Sequence, residues 1–406
     1  MDALSQAYLS LALAIERHVP GFVDAYFGPP ALREAAQQGP IASPQALLEQ
    51  AHFLADRVAA SDLIETRKAF LGAQLQAMIT ICRKLCGEML DYRDEVRELF
   101  DIEPDKTPEA VFDAAIAELD ELLPGQGDVR ERLLAWRAGY IVPVETARVL
   151  IDQITAETRA RTQGFVELPP EESVTFAFVS DQPWSGYNWY LGNYQSRVEI
   201  NTDLPIHAHE LTALIAHEAY PGHHTEHSLK ERLLYREQGF GEHAIQLINT
   251  PQCVISEGIA TLAESIIFPG DSGAQWQAAH LYPLAGLRGE PEREARIARA
   301  RTALRPVAAN AALLLHAEGK PETEVLSYLQ HYGLKSEQEA RQSLRFLQHP
   351  LWRAYMFTYH AGRELLGRWI ETVPVSDQPG RFRLLLAGQV TPSAVRSWIV
   401  QEHALP

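Results

Sequence analysis

The sequence predicts a mainly α-helical protein in which two helical lobes flank a cleft and one small antiparallel sheet lies beside a histidine-rich helix. Three observations predict it. Apolar residues recur at spacings of three and four from the start to about residue 165, and again from about 207 onward, the period that places them on one face of a helix. Between 166 and 203 the texture shifts to short runs rich in Val, Thr, Tyr, Phe and Trp with turn residues between them, as strands require. Six of the fifteen histidines fall between 207 and 227.

The first region spans residues 1–165. SPQALLEQAHFLADRVAA opens on Ser43 as N-cap with Pro44 at the first helical position, and Leu47, Leu48, Ala51 and Leu54 form its apolar stripe. DLIETRKAFLGAQLQAMITICRKLCG is long and apolar enough for a central, largely buried helix. TPEAVFDAAIAELDELLPG begins with Thr107 as cap and ends on Pro-Gly. VETARVLIDQITAETRARTQG closes the lobe. The second region, 166–406, opens with VTFAFVSD, SGYNWYLG and YQSRVEINT, three strands expected to pair antiparallel between 172 and 203. Helices then run to the end, among them EREARIARARTALRPVAANAALLLHAEG and PLWRAYMFTYHAGRELLGRWIE.

Charge and cysteine usage narrow the function classes. Lys and Arg number 36 against 53 Asp and Glu, a net charge of −17. That balance argues against nucleic acid and anionic membrane as partners, because both need clustered cations. Cys82, Cys86 and Cys253 cannot build a disulfide framework, which suits a reducing compartment. Cys82 and Cys86 are four apart but have no second pair nearby to complete a zinc knuckle. The first apolar run is short, follows Asp2 and ends at Glu16 and Arg17, so neither a signal peptide nor a membrane span is expected, and the expected location is the cytoplasm. The sequence sets no oligomeric state.

The segment HAHELTALIAHEAYPGHHTEH, 207–227, carries the chemistry. In H-E-x-x-H the two imidazoles lie on one helical face and reach one zinc ion, with the Glu placed as base. Four residues after His217, however, stands Pro221. Removing Pro221 and Gly222 restores the spacing, and a proline-induced kink or bulge would accommodate two extra residues. His223 then becomes the second ligand. The competing geometry, an unbroken helix, puts His224 on the same side but about 10.5 Å further along the axis. Glu257 and Glu264, seven apart in SEGIATLAE, share a helical face. Glu257 is the expected third ligand of one divalent ion, most simply zinc, and Glu264 the group that orients a ligand imidazole.

HEAYPGHH, preceded by YQSRVEINTDLP and followed by SEGIATLAE, resembles the bacterial domain-of-unknown-function 885 family, which is grouped with gluzincin-like zinc metallopeptidases. His217, Glu218, Pro221, Gly222, His223 and His224 match its first segment. Glu257, Gly258, Ala260 and Glu264 match the second, with Ile259 in place of Trp. Thr358, Tyr359, His360, Ala361 and Gly362 match the third, with Thr in place of Ser. The resemblance spans about residues 165–370, and the chain is shorter than typical members.

The resemblance implies hydrolysis of a peptide or small amide, with Glu218 as general base and the YQSRVEINT strand lying along the cleft. Tyr359 is then a candidate donor to the oxyanion, with an ordinary core aromatic as its alternative. Arg363, one turn later, is a candidate for binding a substrate carboxylate, with an ion pair as its alternative, and His360 a further candidate for binding substrate. Two other readings keep the same residues: a metal hydrolase acting on a non-peptide amide or ester, and a catalytically inactive binding protein.

Overall fold

The computed structural model describes residues 1–182 and 186–403. It is mainly helical, 64% helix and 8% strand. Local signals set many of the helix ends. Ser43 Oγ accepts from the Ala46 N–H at 3.2 Å and starts the helix Pro44–Ala59. The expected central helix, Glu65–Leu85, buries Phe70, Leu71, Leu75 and Met78. Thr107 does not cap the next helix, Glu109–Leu122, which begins after Pro108. Its backbone is instead taken by Asn310, which accepts from Thr107 N–H and donates to Thr107 O.

The N-terminal region is not helical throughout. Strand β1 (Val23–Tyr26) pairs antiparallel with β5 (Ile245–Leu247), a partner more than 200 residues away that no local pattern announces. The main sheet contains β2 (Ser173–Val179), β3 (Gly186–Gly192) and β4 (Gln195–Asn201) in the order β2-β4-β3. Ser185, the first residue of the SGYNWYLG run, lies outside the described residues, with Pro183 and Trp184. β3 and β4 form an antiparallel hairpin whose turn residues, Asn193 and Tyr194, both have positive φ. That is the turn whose twist matches a two-residue hairpin. β2 pairs parallel with β4, so the sheet is mixed and not all-antiparallel as expected. The three strands alternate in direction as in a meander, but β4 takes the middle place, which leaves β2 beside a strand running its own way. It follows that β4 is paired on both sides and cannot offer its backbone to a peptide; β2 and β3 are the edge strands.

Apolar packing does not divide at residue 165. One cluster joins Tyr8, Leu9, Phe70, Leu71 and Phe100 to Ile245, Val254, Leu313 and Phe357. A second joins Ile151, Val198, Ile200, Leu211 and Ile215 to Ile255, Ile259, Leu366 and Phe382. The Glu257 helix (Pro251–Ile267) and the Tyr359 helix (Met356–Ile370) contribute to both. Their backbones touch where they cross: a Cβ built on Gly362 would lie 2.2 Å from the Val254 carbonyl oxygen, and one on Gly258 2.8 Å from the Gly362 carbonyl. No single described helix is long and apolar enough to cross a membrane.

Gly362→Ala should therefore push the two helices apart and cost about 1–3 kcal/mol, the usual range for overpacking. Gly72→Ala is the control: nothing lies within 4 Å of its Cβ position. Relieving a mid-helix glycine there should stabilise by about 0.5–1 kcal/mol. Denaturant unfolding of the two variants checks both signs.

Candidate metal centre

The His217 helix ends at Glu218, and a second helix begins at His223. Between them Ala219, Tyr220, Pro221 and Gly222 leave helical geometry, with a cis peptide before Pro221. The hydrogen bonds show how the extra residues are absorbed. Gly222 N–H donates to Ala216 O at 2.9 Å and Thr225 N–H to Ala219 O at 3.2 Å. Each spans six residues where an α-helix spans four, so two residues are inserted. Only glycine fits at 222, because a Cβ there would lie 1.9 Å from the His217 carbonyl oxygen.

The insertion turns His223 back onto the face of His217. His217 Nε2 lies 3.5 Å from Glu257 Oε2, and His223 Nε2 lies 3.9 Å from Glu257 Oε1. All three ligand atoms fall within 4.8 Å of one another. Tetrahedral bonds of ~2.0–2.2 Å would set ligand atoms about 3.3–3.6 Å apart. Glu257 Oε2 is buried with no hydrogen-bond partner among the described residues. Burial holds both imidazoles below their ordinary pKa, and their mutual influence adds to this at His217, so they are neutral donors. Burial raises the Glu257 carboxyl to about 8, despite the hydrogen bond from Tyr355. Two neutral imidazoles and an under-compensated carboxylate suit a single divalent cation.

Surrounding groups fix these side chains. Ser256 Oγ donates to Glu226 Oε2 at 2.6 Å, and Glu226 Oε1 receives Lys230 at 2.6 Å. With its proton so committed, Ser256 Oγ accepts from His223 Nδ1–H at 3.1 Å, which leaves Nε2 as the ligand atom. The His217 ring is held by the Ala260 carbonyl. Tyr355 donates to Glu257 Oε1 at 2.9 Å. Glu264 does not fill the orienting role expected of it. It lies by Arg305 and Arg363, and burial pushes its carboxyl up to about 7 against their attraction.

His224 is excluded as the second ligand. It is fully buried and bound at both ring nitrogens, by Ser196 Oγ and Glu172 Oε2, each at 2.8 Å. Glu172 also receives Tyr220 and Arg159, so His224 fastens its helix to the sheet. Of the remaining histidines, His207 meets the Arg137 carbonyl at 2.9 Å and His209 packs on Trp136 and Tyr140. His227 stacks behind His223, its Nδ1 facing Gln246.

Glu218 is buried beside the ligands, and its carboxyl is pushed up to about 8 by burial, then by Glu257 and Asp24. Asn188 of β3 donates to its backbone carbonyl at 2.6 Å and ties that edge strand to the site. The next phenol on β3, Tyr187, donates to Asp24 of β1. Tyr359 packs against Tyr355, its phenol close enough to Glu257 and Glu218 to feel both charges. Arg363 makes no ion pair among the described residues; its guanidinium donates to the Thr261 carbonyl and lines a cavity that His360 also lines. Sequence reasoning misses Asp24, Tyr187, Tyr355, Ser256 and Glu226. Tyr355 is one turn before Tyr359 and Ser256 adjoins Glu257, which is a usable signal; Asp24 and Tyr187, 163 residues apart, carry none.

No protein-family model matches the chain, and no curated protein matches it. Solved structures of similar fold include two candidate lipoproteins. One is a candidate lipoprotein from Colwellia psychrerythraea, with TM-score 0.55 and 16% identity over 89% of this chain and 67% of that one. The other is a candidate lipoprotein of unknown function from Shewanella oneidensis, with TM-score 0.52 and 13% identity over 91% of this chain and 76% of that one. At such identities the likeness shows the fold alone.

If Ser256 sets the His223 tautomer, Ser256→Ala should weaken divalent-ion affinity by about 10–100-fold, the usual effect of removing an outer hydrogen bond. His224→Ala should leave that affinity near wild type and lower the melting temperature instead. Chelator competition and thermal unfolding on both variants separate the two roles.

Proposed function

We propose that the protein is a zinc-dependent metallopeptidase. One observation carries this reading: His217, His223 and Glu257 converge on a single point with the Glu218 carboxyl beside it. The resemblance of the HEAYPGHH and SEGIATLAE segments to gluzincin-like metallopeptidases supports it. Zinc bound by the three ligands would acidify a water molecule and polarise the scissile carbonyl.

The chain's own residues supply the rest. Among the described residues Glu218 is the one carboxyl beside the ligands that is neither a ligand nor hydrogen-bonded, so it takes the proton from water and delivers it to the leaving amine. Hydrolysis then breaks the C–N bond, adding hydroxyl to the acyl carbon and hydrogen to the nitrogen. Tyr187 has its proton committed to Asp24. Tyr359, with no acceptor among the described residues, is therefore the phenol free to donate to the oxyanion. Strand β3, at one edge of the sheet and tied to Glu218 through Asn188, is the strand beside which an extended peptide would lie.

Glu218→Gln keeps the shape of the side chain and removes its basicity. Zinc content should stay at the wild-type ratio while cleavage of a mixed peptide library falls by about 10²–10⁴-fold. His217→Ala should lose zinc and cleavage together. Near wild-type turnover by Glu218→Gln would overturn the assignment.

A further inference from the structure

Beyond the ligands, the Glu257 and Tyr359 helices border a cavity of about 300 Å³ whose walls include Leu262, Arg305, His360, Arg363 and Arg368. Three guanidinium groups there meet two carboxylates, Glu364 and Glu371. Arg363 spends one N–H on the Thr261 carbonyl. Arg305 has no acceptor among the described residues. Arg305 is exposed to water where it lines the cavity, and the protein packed around it, with Arg363 and Arg301 close by, draws its pKa down to about 10. Its acidic neighbour is Glu264, whose raised pKa leaves it with only part of a charge at neutral pH. A cavity lined by three guanidinium groups, of which Arg305 and Arg363 have no ion pair among the described residues, is suited to an incoming anion.

The place of this cavity says which anion. The Arg305 charge acts on His217, and Leu262 stands five residues beyond Glu257, about 7.5 Å along the helix axis. An extended peptide covers roughly 3.3–3.6 Å per residue, so that rise matches about two residues of substrate. We propose that Arg305 and Arg363 bind the C-terminal carboxylate of the substrate, so that the enzyme releases one or two residues from the carboxyl end of a peptide. This rests on the peptidase reading and adds the direction and length of the cut.

The test uses one peptide in three forms: with a free C-terminus, with that terminus amidated, and amidated with glutamate as the last residue. The free acid should be cleaved with a kcat/KM about tenfold or more above the amide, the loss expected for one charge-assisted contact. Its products should be single residues or dipeptides from the carboxyl end. Arg305→Gln should bring the acid-to-amide ratio toward one, mainly through KM, and Arg305→Lys should restore part of it. Equal cleavage of acid and amide, or a ratio unmoved by Arg305→Gln, overturns the carboxylate site while Glu218-dependent cleavage leaves the peptidase reading standing. Preference for the glutamate amide equal to that for the free acid also overturns it, because the cavity then reads a side chain. Should the wild type cleave none of the three, the peptidase reading fails, and calorimetric binding decides the cavity separately: equal affinity for acid and amide overturns it.

Discussion

Gly258 and Gly362 let two helices approach until backbone meets backbone, and the rest of the architecture hangs on that crossing. Each glycine sacrifices about 0.5–1 kcal/mol of helix propensity relative to alanine. The return is a seam along which both large apolar clusters are joined. It also sets the site. Glu257 directly precedes Gly258, and only a close approach lets Tyr355, 98 residues away, reach its carboxylate. Tyr359 and Arg363 follow on the same helix at one-turn intervals, so the ligand, the phenol beside it and the cavity wall are consequences of one contact.

Burial alone does not decide the charge of a carboxyl here; partners do. Glu226 and Glu257 are both deeply buried and lie within one network. At Glu226, burial is outweighed by Lys230, His227 and Ser256, and the pKa falls to about 2. At Glu257 the single hydrogen bond from Tyr355 is too little, and the pKa rises to about 8. Glu172 repeats the first pattern with His224, Tyr220 and Arg159. Compensated acids thus fasten elements together, while the uncompensated pair, Glu218 and Glu257, lies where the proposed cation would supply the missing positive charge.

Much of the site is legible in short-range arithmetic. The two-residue insertion at Pro221 and Gly222 follows from the spacing of His217 and His223, because a helix admits extra residues only as a break in its hydrogen-bond ladder. Glu257 follows from helical spacing in SEGIATLAE. The same arithmetic cannot separate Glu264 from a ligand-orienting residue or Tyr355 from a core aromatic. Glu264 lies on the Glu257 helix and Tyr355 immediately precedes the Tyr359 helix, and their roles depend on what stands opposite.

The sequence by itself determined the mainly helical class, the position of the sheet, the break in the histidine helix and the identity of the converging side chains. Each of these depends on periodicity, turn chemistry or backbone hydrogen bonding among residues a few positions apart. Tertiary structure decided the order of the strands, the pairing of β1 with β5, the fastening of His224 to Glu172 and the meeting of Arg305 with Arg363 at one cavity. Those depend on which faces meet across a hundred residues or more of chain, and a local pattern records that a face is apolar or charged without recording its partner.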